Sequence, residues 1–245
     1  MSSLQSIPVY VITVKTFFDR HAHMAALEER LGIKFEYIWN YDADDLSDDD
    51  RLRVSGDMAR QSISNVLKHF EAQRRFLATE SEVCLVLEDD VLLFDTFEQN
   101  FEKVLAHIKS LAPGWLIFLG GADNKIDRRF LRQNDGLIEQ DLTTAEAYLL
   151  DRCGCQKRLD WLKMHKLDRQ ADHQIKLIDR ALGIKHYWYS QPLATQGSIT
   201  GLFSTALDAS RAKHGAVYLN IRYQWNRFRR QTLPRTFACI FGGRE

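Results

Sequence analysis

The strongest constraint on the fold is an apolar run that ends in three consecutive carboxylates. Residues 83–87 read Val-Cys-Leu-Val-Leu, and Glu88, Asp89 and Asp90 follow directly. An apolar run without polar alternation is typical of a strand that is buried on both faces of a parallel sheet. In proteins with such sheets, ligands bind outside the carboxyl ends of the strands. The sequence therefore predicts that the acidic triplet lies at the mouth of a central sheet.

Comparable patterns alternate along the first half of the chain. Strands are predicted at 8–14, 35–39, 83–87 and 115–119, and helices at 19–31, 62–79 and 97–111. Strands that alternate with helices at this spacing predict the α/β class, with a mostly parallel central sheet and helices on both of its faces. No linker-like composition interrupts the pattern, so we expect one compact catalytic domain.

Composition excludes several classes of protein. The 245 residues include 33 cations and 33 acids, and 45% of the chain is hydrophobic. A disordered chain is less apolar, and a nucleic-acid-binding protein carries a basic surplus that is missing here. The longest apolar runs are much shorter than the roughly 20 residues of a membrane helix, and the N-terminus lacks the pattern of a signal peptide. We therefore expect a cytoplasmic protein with no nucleic-acid partner.

The acidic triplet has the chemistry of a metal site. Neighbouring, partly buried carboxylates repel one another, which raises their pKa values unless a cation neutralises them. Oxygen ligands suit Mg²⁺ or Mn²⁺, and such an ion would neutralise the departing diphosphate of a nucleotide sugar. In an extended chain Glu88 and Asp90 point to one side and Asp89 to the other. The alternative is a solvated turn, which is also our interpretation of the Asp-rich stretch 42–50.

Seven segments, in this order, resemble glycosyltransferase family 25, which includes lipooligosaccharide galactosyltransferases of bacteria and collagen galactosyltransferases of animals. They span about residues 8–200 and comprise 9–14 followed by Arg20, 62–69, 85–91, 115–120, 144–150, 171–173 and 191–198. The resemblance implies a GT-A-like fold and inverting transfer of galactose from a UDP-sugar to a hydroxyl group. The acceptor would be lipooligosaccharide or another surface glycan, and the cofactor Mn²⁺ or Mg²⁺. It also implies a catalytic domain over 1–205.

The resemblance assigns roles to particular residues. Asp89 and Asp90 stand for the metal ligands, and Glu88 for a contact to the donor. Inversion needs a base opposite the leaving group, and Asp172 is the predicted base. Glu146 and Asp168 are the alternatives for that role, and a helix N-cap is the alternative interpretation of Asp172.

Four further side chains are predicted to form the donor pocket. Gln196 and Ser198 would hydrogen-bond the sugar or the phosphates, and Tyr148 would stack on the base or the sugar. His69 would support the same pocket. The alternatives are a polar turn for Gln196 and Ser198, a position in the hydrophobic core for Tyr148, and a packed, hydrogen-bonded position for His69.

The C-terminal extension, residues 206–245, is basic and aromatic. Between 209 and 245 the only acid is Glu245, and eight Lys or Arg residues are interleaved with aromatic ones. Such a segment is typical of a helix that lies on an anionic membrane, and we predict peripheral association with the inner membrane through residues 211–235. The alternative is a helix that packs on the catalytic domain.

Two departures from the family pattern keep rival functions open. The first strand ends in Thr13 and Val14 where the family has Asn-Leu, and no proline precedes Asp172. A non-catalytic protein that binds nucleotide sugars is one rival. A metal-dependent nucleotidyltransferase is the other, although the glycine-rich phosphate loop expected near its N-terminus is missing from the sequence.

Overall fold

A seven-stranded sheet forms the centre of the protein. The computed structural model describes residues 3–131, 135–141, 144–204 and 213–241. The strands are β1 (Val9–Ile12), β2 (Glu36–Ile38), β3 (Val83–Glu88), β4 (Val91–Leu93), β5 (Trp115–Phe118), β6 (Leu137–Glu139), β7 (Ala147–Asp151), β8 (Lys185–Tyr189) and β9 (Ala194–Gln196). The central sheet has the order β2-β1-β3-β7-β5-β8-β6, and β4 pairs with β9 in a separate two-stranded sheet.

Five of the seven central strands run in the same direction. The pairs β1–β2, β1–β3 and β5–β8 are parallel, and β7 and β6 are antiparallel to their neighbours. The prediction of a mostly parallel sheet is therefore confirmed. Because β1 and β3 are parallel neighbours, their carboxyl ends meet at one edge, which is where the acidic triplet begins.

The helices lie on both faces of this sheet, as predicted for the α/β class. They are α1 (Phe18–Leu31), α2 (Asp48–Leu52), α3 (Arg60–Leu77), α4 (Phe97–Ile108), α5 (Arg152–Leu162), α6 (Ala171–Leu182), α7 (Gly197–Thr200), α8 (Ala216–Arg227) and α9 (Leu233–Phe241). Alternate strand residues join different apolar clusters: Tyr10 and Val86 pack in the cluster of α3, α5 and α6, whereas Val11 and Leu85 pack in that of α1 and α4. This period of two is that of strands buried on both sides.

The Asp-rich stretch only partly matches its prediction as a solvated turn. Ser47 and Asp50 form a capping box at the start of α2, and the side chains of Asp48 and Asp49 are exposed, as expected. Asp42, however, is only 6% exposed, and its Oδ1 atom lies 2.5 Å from Nζ of the buried Lys68. The prediction was wrong for Asp42 because a long-range ion pair compensates its burial.

The C-terminal extension contacts the rest of the protein. A π-helical turn (Phe228–Thr232) joins α8 to α9. The backbone N–H of Ile126 donates to the carbonyl oxygen of Arg230 at 3.1 Å, and the Gln231 amide donates to the carbonyl oxygen of Asn124 at 2.6 Å. Arg211 and the predicted boundary at 205/206 lie outside the described residues, so the division into domains stays a prediction. None of the described helices is long and apolar enough to cross a bilayer.

Candidate functional site

A cavity of about 730 Å³ opens where β1 and β3 end. Its walls come from the β1–α1 connection, the start of α3, the acidic triplet, residues 121–124 and 144–146, the start of α6 and residues 196–199. The volume lies in the range typical of sites for small ligands. The position outside the carboxyl ends of the parallel strands is the one expected for an α/β sheet.

Asp89 is neutralised by the protein itself. Its Oδ1 atom accepts a hydrogen bond from Nη1 of Arg20 at 2.5 Å, and its Oδ2 atom accepts one from Oγ1 of Thr13 at 2.8 Å. Burial raises the pKa of Asp89, and the Arg20 guanidinium opposes that shift. A metal is the partner that the sequence predicts for Asp89, because no neutralising side chain is adjacent to it in the sequence. Arg20 removes that reason, and the arrangement favours Asp89 as the partner of Arg20.

Glu88 is held by amide donors from two elements. Nε2 of Gln196 donates to its Oε2 atom at 2.6 Å, and Nδ2 of Asn65 donates to its Oε1 atom at 3.4 Å. Nε2 of His69 lies 3.6 Å from the same Oε1 atom. Burial acts to raise the pKa of Glu88, but His69 and the two amides outweigh it, so the net shift is downwards. Glu88 is therefore a stable carboxylate that joins β3 to α3 and β9.

The negative charge of Asp90 is stabilised by fewer donors than the charges of Glu88 and Asp89. Its Oδ2 atom accepts a hydrogen bond from the backbone N–H of Ser198 at 3.1 Å, and it is only 3% exposed. Burial, and after it the charge of Glu88, raises the pKa of Asp90 to about 6. A cation in the cavity would relieve this repulsion. Asp90 is thus the member of the triplet that gains most from a bound cation.

Glu146 adds a fourth buried carboxyl group to the cavity. Its Oε1 atom accepts a hydrogen bond from the backbone N–H of Gly121 at 2.6 Å. Burial, and after it the charges of Glu88 and Asp90, raises the pKa of Glu146 to about 8. A side chain at position 120 would collide with this group, since a Cβ atom on Gly120 would lie 1.9 Å from Oε1. Glu146 is therefore mostly protonated at pH 7.

The side chains at this cavity could hold a metal ion only at a site where the protein supplies few of the ligands. Within the described ranges, no group of three or more His, Cys, Asp or Glu side chains could hold an ion. Mg²⁺ commonly takes one or two carboxylates and obtains its remaining ligands from phosphates and water. Asp90 fits that pattern, because its charge is the least compensated of the triplet.

Asp172 is the one exposed carboxylate among the predicted bases that reaches the cavity. It is the second residue of α6, it is partly exposed, and it lines the cavity. Its Oδ1 atom accepts a hydrogen bond from the backbone N–H of His173 at 2.8 Å. Asp168 is instead paired with Arg169 at 2.7 Å and is not among the residues that line the cavity. The structure thus brings Asp172 and Glu146 to the site but leaves Asp168 outside it.

Two of the predicted donor-pocket residues lie behind the cavity. His69 and Tyr148 are buried, with 0% and 1% of their surfaces exposed, and neither lines the cavity. A hydrogen bond of 2.6 Å joins Nδ1 of His69 to the tyrosine hydroxyl. Direct contact with a donor is not possible from this position, so the two residues support Glu88 instead. Gln196 and Ser198 do line the cavity, as the prediction requires.

Several residues of the site were missed because their partners are distant in sequence. Arg20 was noted only as part of a family segment, yet it pairs with Asp89 and also donates through Nη2 to the carbonyl oxygen of Ser204. Lys68, which also lines the cavity, looks in the sequence like an ordinary polar position of an amphipathic helix. The one sequence signal that could have identified either residue is the presence of an arginine shortly after the first strand.

Comparison with known proteins decides the family. The family model described as glycosyltransferase family 25 (LPS biosynthesis protein) matches residues 6–133, just over half of the 245-residue chain. The chain belongs to glycosyltransferase family 25. The matched region contains Arg20 and the whole acidic triplet. None of the curated proteins compared with the chain matches it.

Two solved structures are similar to this member of the family at low scores. One is the inositol-1-phosphate CTP transferase from T. maritima, with 9% identity, a TM-score of 0.36, and coverage of 88% of this chain and 77% of that one. The other is the apo form of mouse xyloside xylosyltransferase 1, with 13% identity, a TM-score of 0.36, and coverage of 76% and 75%. Likenesses of this size carry no argument about the activity.

The raised pKa of Glu146 predicts a loss of stability as the pH rises. An unfolded Glu has a pKa of about 4.3, so between that value and about 8 the folded state binds more protons than the unfolded state. The free energy of unfolding should then fall with pH, by up to about 1.4 kcal/mol per pH unit. Glu146→Gln keeps the acceptor for Gly121 but cannot titrate, so its stability should fall less.

The measurement is urea denaturation between pH 7 and 8.5 in EDTA, where Asp90, with a pKa of about 6, is mostly ionised. Glu98→Gln is the control, because Glu98 is exposed in the first turn of α4. We expect the control to keep the wild-type slope. Equal slopes for Glu146→Gln and the wild type would contradict the assignment of a protonated Glu146.

Proposed function

We propose that this protein transfers galactose from a UDP-sugar to a hydroxyl group of lipooligosaccharide or another surface glycan, with inversion at the anomeric carbon. One observation carries the proposal: Asp90 and Asp172 reach the same cavity from different elements, the turn between β3 and β4 and the start of α6. A glycosyl transfer needs a group that stabilises the leaving diphosphate and a base that activates the acceptor hydroxyl. Asp90 would serve the first role, through a bound cation, and Asp172 the second. Membership of the family supports glycosyl transfer over nucleotidyl transfer.

The diphosphate side of the site is the acidic strand end. Asp90 would hold Mn²⁺ or Mg²⁺, and the bound ion would act as a Lewis acid on the leaving diphosphate. Glu88 is fixed by Gln196 and Asn65, so it can orient donor hydroxyl groups without moving. Gln196 and Ser198 line the same wall and offer polar contacts to the sugar or the phosphates.

The raised pKa of Glu146 makes Asp172 the better candidate for the base. A general base must be ionised at the working pH and must reach the proton that it removes. Glu146 is buried and its pKa is about 8, so at pH 7 it is mostly unable to accept a proton. Asp172 is partly exposed, and it lies where an acceptor hydroxyl can enter the cavity. Glu146 serves better as a neutral hydrogen-bonding group in the cavity wall, where it packs against Gly120.

The first test measures release of UDP from a panel of UDP-sugars in the presence of Mn²⁺. UDP-galactose should be turned over, and Asp90→Ala should lower the rate by about 100-fold or more, since several kcal/mol of charge stabilisation would be lost. Asp95→Ala is the matched control, because Asp95 is exposed and does not line the cavity. Tight binding of a nucleotide sugar without any turnover would favour the non-catalytic alternative. Release of pyrophosphate from a nucleoside triphosphate would favour the nucleotidyltransferase.

The second test concerns the base. Asp172→Asn should lower kcat for transfer to the acceptor by about 10²–10⁴-fold and leave the KM for the donor unchanged. Asp168→Asn is the matched control, since it changes a carboxylate four residues away that is paired with Arg169 outside the cavity. A kcat for Asp172→Asn equal to that of the control would move the role of base to another residue.

We further propose that the enzyme associates with the cytoplasmic face of the inner membrane through its C-terminal helix. At 100° per residue, the exposed apolar residues of α8 and the π-helical turn form a stripe opposite the buried Leu219 and Tyr223. The stripe comprises Val217 (75% exposed), Tyr218 (52%), Ile221 (65%), Trp225 (60%) and Phe228 (46%). Residues 213–241 contain six Lys or Arg residues and no Asp or Glu, which suits an anionic surface. A lipid-linked acceptor would be reached from there.

Flotation with phosphatidylglycerol vesicles tests this association. The wild type should float with the vesicles, and Ile221→Ser/Trp225→Ser should weaken partitioning by about tenfold or more because two apolar anchors are lost. Leu52→Ser/Met164→Ser is the control, since these side chains are 64% and 83% exposed elsewhere on the protein. Equal partitioning of the two double variants would rule out the stripe as the membrane contact.

A further inference from the structure

A second cavity, of about 720 Å³, lies between the segment 125–131 and the π-helical turn. We call it the cationic groove, because four of the residues that line it are Lys125, Arg128, Arg229 and Arg230. The other described residues that line it are apolar, and no carboxylate is among them. Four like charges that share one cavity repel one another, and a bound anion would offset that repulsion.

The acid that is closest in sequence does not neutralise the groove. Asp127 is bound to Arg129, whose Nε and Nη2 atoms donate to its two oxygens at 2.9 and 2.8 Å. Arg129 itself does not line the groove. Within the described ranges, no ion pair joins any of the four lining cations to a carboxylate. The groove therefore keeps its positive charge.

The backbone around the groove is held in place by buried contacts. Ile126 N–H donates to the carbonyl oxygen of Arg230, and the amide of the buried Gln231 donates to the carbonyl oxygen of Asn124 at 2.6 Å. Nη1 of Arg230 donates to the carbonyl oxygen of Asp123 at 3.1 Å. Asp123 and Asn124 also line the candidate active site. One short loop thus forms a wall of both cavities.

We infer that the cationic groove binds a phosphate group carried by the lipid-linked acceptor. This inference rests on the proposed function and adds to it the chemical class of the acceptor. Arginine presents a planar fork of donors that matches phosphate oxygens, and two of the lining arginines lie in the π-helical turn, a type of helix distortion that is frequent at functional sites. Phe228, in the same turn, belongs to the apolar stripe, so the groove lies beside the proposed membrane contact.

A lipid-borne phosphate fits the groove better than a nucleic acid does. A polyanion needs cations that follow its backbone over many phosphates. The chain as a whole has no net charge, and only four cations meet at this cavity. A single phosphate group satisfies such a cluster.

The first arm of the test measures binding of inorganic phosphate by ³¹P NMR in EDTA, without donor or divalent cation. We expect wild-type protein to bind, and Arg128→Gln/Arg229→Gln to weaken binding by about tenfold or more, as expected for the loss of a charged hydrogen bond. Arg30→Gln/Arg169→Gln removes the same net charge at an exposed and a partly exposed position outside the groove and should leave binding unchanged. No binding by the wild type, or equal losses in both double variants, would overturn the inference.

The second arm compares phosphatidylcholine vesicles that contain phosphatidic acid with vesicles of equal surface charge that contain phosphatidylglycerol. Retention on phosphatidic acid should fall in Arg128→Gln/Arg229→Gln and persist in the control variant. Unchanged retention would contradict a lipid-borne ligand, even if free phosphate binds. Because neither arm requires turnover, failure of the donor assay would leave these results intact, and loss of phosphate binding would leave the proposed transfer reaction standing.

Discussion

Three adjacent carboxylates at the end of one strand, two of them buried and Glu88 partly buried, form the constraint on which the site depends. Such groups cannot stay charged in a buried position unless donors reach them. Each carboxylate is answered by a different element: Asp89 is paired with Arg20 of α1, Glu88 accepts from α3 and β9, and Asp90 accepts from α7. These bonds join segments that are far apart in the chain around one strand end. The acidic triplet therefore organises the cavity as well as lining it.

The surrounding donors stabilise the charges of these carboxyl groups to different extents, and this difference separates their roles. Glu88 is stabilised as an anion, whereas the pKa values of Asp90 and Glu146 are raised to about 6 and about 8. A cation and a diphosphate would complete the charge balance at Asp90. Asp172 lies on the same cavity but is partly exposed, so it avoids this crowding. Carboxyl groups in one cavity can thus differ in function. Glu88 is a fixed carboxylate, Glu146 is a neutral hydrogen-bonding group, and Asp172 is the proposed base.

The C-terminal extension links the catalytic cavity to a surface with different chemistry. Its π-helical turn holds the loop that contains Asp123 and Asn124, and that loop lines the candidate active site on one side and adjoins the cationic groove on the other. The same helix exposes an apolar stripe beside arginines that form no ion pair with a carboxylate of the described residues. A phosphate-bearing lipid acceptor would contact all three features. The chain as a whole has no net charge, but carboxyl groups gather at one cavity and four cations gather at the other.

The sequence by itself determined the layers of the fold and the direction of neighbouring side chains. Apolar periods of two and 3.6 depend only on local geometry, so the strands β1, β2, β3 and β5, the helices α1, α3 and α4, and the opposite facing of Glu88 and Asp89 could be predicted. Tertiary structure decided which charges are neutralised. The partner of Asp89 is 69 residues away, that of Asp42 is 26 residues away, and His69 meets Tyr148 across 79 residues behind the cavity. Local patterns do not encode such pairings, because they exist only once helices pack on the sheet.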